Sequence, residues 1–242
     1  MKNFWKLVAV TAVIVPLAAQ AESLSEDRIK ELVLQTIREN PEIVLEAVQL
    51  IEQREQQRQA TAVATVLSDN RDLLENDRNA PVLGNPEGDV TVVEFFDYNC
   101  PYCRRVKPHI EALLQEDPNV RVVYREWPIL GDGSVFAARA ALASREQGKY
   151  EEFHWALMGM AGRAEEASVI QLAEQVGLDI AQLRRDMDAP EIDAHIAVSM
   201  ELSRALGFNG TPSFVIGDAL VPGVIQAEQM IRLAQEARKA KN

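Results

Sequence analysis

The sequence predicts an α/β domain that carries a helical insertion and follows a separate helical segment. Three observations predict it. The chain's only two cysteines, Cys100 and Cys103, stand two residues apart just after the apolar run Val92-Val93-Glu94-Phe95-Phe96, where a strand gives way to a helix. From there onward, strand-like and helix-like patterns alternate around one long helical block. Ahead of it, up to about residue 79, the chain reads as helix of a different composition.

At the N-terminus, Lys2 and Lys6 flank a short charged start, Leu7 to Ala18 is apolar except for Pro16, and Ala19-Gln20-Ala21 is a small-x-small cleavage pattern. That layout predicts a secretory signal peptide over residues 1–21, with Glu22 as the first mature residue. The apolar run is too short to span hydrocarbon comfortably, and no second run of spanning length follows. A soluble secreted protein is expected, which in a bacterium means the periplasm, where disulfides persist. The 242 residues carry a net charge of −12, and loss of two lysines with the signal would take it to −14. So acidic a chain has no electrostatic footprint for nucleic acid or anionic lipid. Nor can the cysteines staple the fold: so small a ring contributes about 2 kcal/mol, against about 4.7 for a 100-residue loop. The pair reads as functional.

Residues 22–79 form the helical segment. Ser25 is an N-cap with Glu26 and Asp27 in the first turn, and Ile29, Leu32, Val33 and Ile37 recur at helical steps. Asn40-Pro41-Glu42 ends one helix and starts another, with Asn40 as cap and Pro41 at its first position. Val44, Val48 and Ile51 continue the stripe; Glu52 to Gln59 is polar, so the stripe either stops or becomes solvated helix before Val63, Val66 and Leu67. Such a pair buries too little to fold alone, and burial against copies of itself is one solution. Packing on its own second domain, or a free arm, is the other. Asn79-Ala80-Pro81 and Gly84-Asn85-Pro86 mark the join.

In residues 80–242, Val90 to Phe96 is a buried strand, Asp97-Tyr98-Asn99 a turn, and a helix opens at Cys100 with Pro101 in its first turn and Pro108 inside it. Val120 to Tyr124 is a second strand, ending at Glu126-Trp127-Pro128. An all-helical insertion over about 132–206 follows, then strands at Ser213 to Ile216 and around Val221, and a last helix from about Gln226. That order is a thioredoxin core interrupted by helices. Cys100, at a helix N-terminus, is expected as the attacking thiolate, and Cys103, one turn in and less exposed, as the thiol that resolves the mixed disulfide. Pro101 and Tyr102 would tune the couple.

Glu94-Phe95-Phe96-Asp97-Tyr98-Asn99-Cys100-Pro101-Tyr102-Cys103, followed much later by Gly210-Thr211-Pro212-Ser213-Phe214, resembles the DsbA family of secreted thiol-disulfide oxidoreductases. Within it the ScsC-like group, which can carry an N-terminal oligomerisation segment, is most similar. The resemblance covers about Pro81 to the C-terminus. It implies that Pro212 is a cis-proline facing the cysteines and that Thr211 offers its main chain to a substrate strand. It implies that Glu94 is a buried acid assisting proton transfer to Cys103; an acid amid Val92, Val93, Phe95 and Phe96 fits that role. It further implies a homo-oligomer, a trimer favoured, acting on secreted proteins with disulfides and recycled by a membrane redox protein. Tyr102 stands where strongly oxidising members carry histidine, so one source of thiolate stabilisation is missing.

The leading reading is a disulfide isomerase or reductase that needs no cofactor or metal. Two alternatives stand beside it: a monomeric DsbA-like oxidase, and a Cu(I)-binding thiol protein of copper tolerance, since soft thiolates favour Cu(I). His109, His154 and His195 are scattered and complete no zinc site with the cysteines. Asp186, Asp188, Glu191 and Asp193 lack the offsets of a calcium loop and read as a solvated face near Pro190.

Overall fold

A computed structural model describes residues 25–240. The expected signal peptide, residues 1–21, lies outside the described residues. The chain divides into two units, ending and starting at Gln57 and Arg58.

The first unit holds α1 (Glu26–Glu39) and the start of α2 (Glu42–Asn76). Ser25 caps α1 as expected, its side chain accepting from the Arg28 N–H at 3.3 Å. Asn40 closes α1 through its own N–H and its side chain, both donating to the Thr36 carbonyl, so it caps the helix behind it and α2 starts at Glu42. No residue from Ser25 to Gln57 is buried. Ile29, Leu32, Ile37, Val44, Val48 and Ile51 all stand exposed. The polar stretch Glu52 to Gln59 continues the helix, so of the two expectations for it the solvated helix holds.

In the second unit the rest of α2 meets the sheet. Leu67 and Leu74 are each 1 % exposed and share a cluster with Val93, Phe95, Val123, Trp127, Leu202 and Val215. Each such leucine contributes about 1.5–3 kcal/mol by burial. The expected division at residue 79 is therefore corrected: the last turns of the helical segment are core of the second unit, because their leucines cover one face of its sheet.

That sheet contains β1 (Val82–Gly84), β2 (Val90–Phe96), β3 (Val120–Glu126), β4 (Ser213–Ile216) and β5 (Ala219–Pro222), in the order β1-β3-β2-β4-β5. The central pair β2 and β3 is parallel, and the other pairings are antiparallel. β1 falls inside the stretch read as a join; its three residues, Val82, Leu83 and the positive-φ Gly84, carry no alternation to read. The parallel pair is linked by α3 (Pro101–Glu116), which runs on past Pro108. The helices α4 (Asp132–Ala143), α5 (Tyr150–Gly159), α6 (Glu166–Gln175), α7 (Ile180–Asp186) and α8 (Pro190–Ala205) form the insertion, and α9 (Ala227–Ala240) returns to the sheet. The fold is a thioredoxin fold with a helical insertion and an N-terminal helical segment.

Strand alternation sorts β2 between two cores. Val93 and Phe95 meet α2, whereas Val90, Val92 and Phe96 join the cluster that holds Cys100, Cys103, Val106 and Ile110. Glu94 has the parity of Val92 and Phe96, so it faces the cysteine helix.

Candidate active site

The turn from β2 into α3 is closed by its own side chains. Asp97, 2 % exposed, accepts from the Asn99 N–H at 2.7 Å with one oxygen and from the Ile129 and Leu130 N–H groups at 2.8 and 2.9 Å with the other. Its carbonyl accepts from the Cys100 N–H at 3.0 Å. Asn99 reaches outward: its amide nitrogen donates to Ser134 Oγ and the Ala164 carbonyl, each at 3.1 Å, and its oxygen accepts from the Ala164 N–H at 2.7 Å. Arg104, in the first turns of α3, donates to the Tyr98 carbonyl and to those of Met160 and Gly162. Sequence reasoning took residues 97–99 only as a turn. An Asp two residues ahead of an N–H it can accept is the signal that was there to read.

Cys100 caps α3 in extended conformation, and Pro101 follows at the first helical position, where a missing N–H costs nothing. Both thiols are free and both are buried, Cys100 at 3 % exposure and Cys103 at 1 %. Cys100 thus does not stand open at the helix start, because the chain around Thr211 covers it. Between them Tyr102 is 51 % exposed, with Arg105 stacked 4.4 Å from its ring centre. The Thr211–Pro212 bond is cis, and the protonated Cys100 Sγ donates to the Thr211 carbonyl at 3.2 Å.

The two sulfurs differ in what surrounds them. The thiolate of Cys100 accepts from the Cys103 thiol, from the Thr211 side chain and from the Cys103 and Tyr102 N–H groups; against the cost of burial, these bring its pKa down to about 6. Burial pushes Cys103 well above the ordinary thiol range, helped by its bond to Cys100 and by the charge of Glu94. Glu94 is 1 % exposed, and burial, with the Cys100 charge second, raises it to about 8. One of its oxygens has no protein partner, and nor does the hydroxyl of Tyr124, its register neighbour on β3. Cys100, Cys103, Glu94, Thr211 and Pro212 therefore meet at one place, with Pro101 and Tyr102 on the first turn of α3.

His154 and His195 are part of the interior, whereas His109 is half-buried. His154 lies among Phe96, Tyr98, Tyr124 and Tyr150, bonded to the Tyr98 hydroxyl at 3.0 Å, and burial holds its pKa at about 3. His195 Nε2 sits 2.6 Å from Glu126, which also accepts from the Tyr150 hydroxyl at 2.8 Å. Beside them the fully buried Arg125 pairs with Asp77 at 2.7 Å. Of the acids near Pro190, Asp188 and Asp193 pair with Arg139 on a solvated surface.

Comparison with known proteins agrees with this geometry. Residues 91–235 match the family described as the DSBA-like thioredoxin domain. A solved thioredoxin-like oxidoreductase from Silicibacter pomeroyi is 68 % identical, covering 70 % of this chain and 98 % of its own, with a TM-score of 0.70. ScsC from Proteus mirabilis in a compact conformation is 29 % identical over 89 % of this chain and 99 % of its own, with a TM-score of 0.67. The thiol-disulfide exchange protein alpha-DsbA2 from Wolbachia pipientis is 29 % identical over 73 % and 96 %, with a TM-score of 0.68. Among curated proteins the chain is similar to Na(+)/H(+) antiporters, 30 % identical to NhaA 3 of Salinispora tropica, but it spans only 26 % of that protein's length. Among the described residues no helix is long and apolar enough to cross a membrane. A dithiol on a helix start opposite a cis-proline, in a sheet interrupted by five helices, has its counterpart in thiol-disulfide oxidoreductases, and the chain belongs to the DSBA-like thioredoxin domain family.

Proposed function

We propose that this protein is a secreted, periplasmic thiol-disulfide oxidoreductase that reduces and reshuffles disulfides of other secreted proteins, working as a homo-oligomer with a trimer favoured. The observation that carries the chemistry is the split between two adjacent thiols, one held near pH 6 and one well above the usual range. Cys100 attacks as the thiolate and forms a mixed disulfide with one substrate sulfur, releasing the other as a thiolate. Cys103, passing its proton to the ionised fraction of Glu94, a carboxyl whose raised pKa suits it to take a proton from a thiol, then attacks Cys100, closing the Cys100–Cys103 disulfide and freeing the substrate as a thiolate. Thr211 and the Pro212 bond present main chain to the substrate beside Cys100.

Polypeptide is the substrate that the surroundings favour. Beyond the helical segment, the exposed large apolar side chains among the described residues are Tyr102, Ile129, Leu130, Val135 and Val224. Each stands on a segment tied to the site: Ile129 and Leu130 through Asp97, Val135 beside the Ser134 that Asn99 holds, and Val224 beside Gly223, whose N–H donates to the Pro212 carbonyl.

The isomerase direction is supported by the first unit, whose apolar side chains from Ile29 to Ile51 are all exposed in the single chain. Copies meeting along that stripe would hold several Cys100 groups on one substrate, and effective concentration then favours re-forming a bond over release. A membrane redox protein would return the pair to the reduced state. Light scattering on the full chain and on a chain starting at Arg58, with refolding of scrambled ribonuclease, tests this. The expected result is an oligomer that isomerises and a monomer that only reduces. A monomeric full-length protein would leave the DsbA-like oxidase reading instead.

A further inference from the structure

Asn99 precedes the attacking thiol and is 9 % exposed, yet no step above uses its side chain. It binds one residue of the helical insertion as a peptide group would, accepting from the Ala164 N–H at 2.7 Å and donating to the Ala164 carbonyl at 3.1 Å. A third bond runs to Ser134 Oγ at the start of α4. Arg104 holds the same α5–α6 connection two and four residues earlier, at Gly162 and Met160. The approach is close: a Cβ on Gly133 would fall 2.2 Å from the Ala164 carbonyl oxygen, so position 133 admits no side chain while Asn99 keeps its hold.

We infer that Asn99 is a positioning residue for Cys100, fixing the turn that presents the sulfur by clamping it to the main chain of Ala164 in the insertion. The inference rests on the reading of Cys100 as the attacking thiol. Its physical basis is that the sulfur's donors come from three separate places: its own helix start at Tyr102 and Cys103, the Cys103 thiol one turn on, and Thr211 from beyond the insertion. These converge only if Cys100 stays in register with all of them. Asp97 closes the turn on itself and ties it to the chain after β3 at Ile129 and Leu130, and Asn99 ties the residue next to Cys100 to the insertion at Ala164. No apolar residue of its size supplies a donor and an acceptor to one peptide group.

The test is the pH profile of Cys100 alkylation by iodoacetamide in the reduced full-length protein, alongside thermal unfolding. Asn99→Ala is expected to move the midpoint upward from about 6, slowing alkylation at low pH by about tenfold for each unit of movement. Gly133→Ala, which displaces Ala164 without touching Asn99, is expected to move the midpoint the same way. Arg139→Gln cuts ties within the insertion, to Asp193 and the Met187 carbonyl; it is expected to lower Tm and leave the profile in place. Asn99→Ala and Gly133→Ala that lose stability but titrate with the parent overturn the inference. A parent that titrates as an ordinary thiol removes the reading of Cys100 itself, which separates the two failures.

Discussion

Cys100 Sγ and the Thr211 carbonyl stand 3.2 Å apart although 111 residues separate them in the chain. The two cysteines, by contrast, share one helical turn and almost the same burial, so the division of labour between them comes from their neighbours. Cys100→Ser is expected to abolish insulin reduction and scrambled-ribonuclease refolding. Cys103→Ser is expected to keep the attack and accumulate mixed disulfides, visible on non-reducing gels. Substrate trapped on the Cys100→Ser variant would reverse the assignment.

The raised carboxyl of Glu94 and the lowered thiol of Cys100 pull stability in opposite directions with pH. Between about pH 6 and 9, the folded reduced protein has shed a Cys100 proton that the unfolded chain keeps, so stability rises with pH. Between about 4.5 and 8, the folded protein keeps a Glu94 proton that the unfolded chain has shed, so stability falls. Each slope reaches at most about 1.4 kcal/mol per pH unit, and from pH 6 to 8 they offset. Urea unfolding of the reduced parent should be flat from about pH 7 to 8, above the range where the unfolded chain protonates the buried His154, whereas there Glu94→Gln should gain stability with rising pH and Cys100→Ser lose it. A Glu94→Gln curve as flat as the parent's would contradict the protonated acid.

Leu74 belongs to a helix of the N-terminal segment but to the core of the second unit. Leu74→Ala should cost about 2–5 kcal/mol in chemical denaturation, and a chain cut at residue 79 should be far less stable than one cut at Arg58. Equal stability of the two truncated forms would show that these turns are dispensable.

Arg125 is fully buried with Asp77 as its charge partner, and burial lowers its pKa while Asp77 opposes that. Removing only the acid, in Asp77→Ala, strands a buried cation and should cost about 3–5 kcal/mol. Replacing both with leucine should cost much less. A double variant as unstable as the single one would mean that packing, not charge, governs the position.

Much of this was legible in the sequence. β2 came out with its observed ends because six β-favouring residues, broken only by Glu94, run from Val90 to Phe96 between turn residues, and the insertion because no strand pattern interrupts it. The clustering of Glu94, Cys100 and Cys103 followed from adjacency on a strand, a turn and a helix; Thr211 and Pro212 required the family resemblance, since no local pattern points across the insertion. What stayed hidden was pairing at long range. Asn99 with Ala164, Asp97 with Ile129, Asp77 with Arg125 and Leu74 with the sheet each join side chains to partners that sequence spacing does not announce. The boundary between the two units was placed too late for the same reason, as an apolar stripe does not say whose surface it covers.

A nucleophile recessed to 3 % exposure also acts as a filter on shape. Its sulfur lies against the Thr211 main chain, so a disulfide must protrude on an extended, yielding stretch of chain to meet it. Bonds sunk in a finished fold do not protrude. The protein would then tell wrong bonds from right ones without recognising either: a mispaired cysteine holds its polypeptide open and stays within reach, and a correct pairing withdraws its own sulfur from further attack.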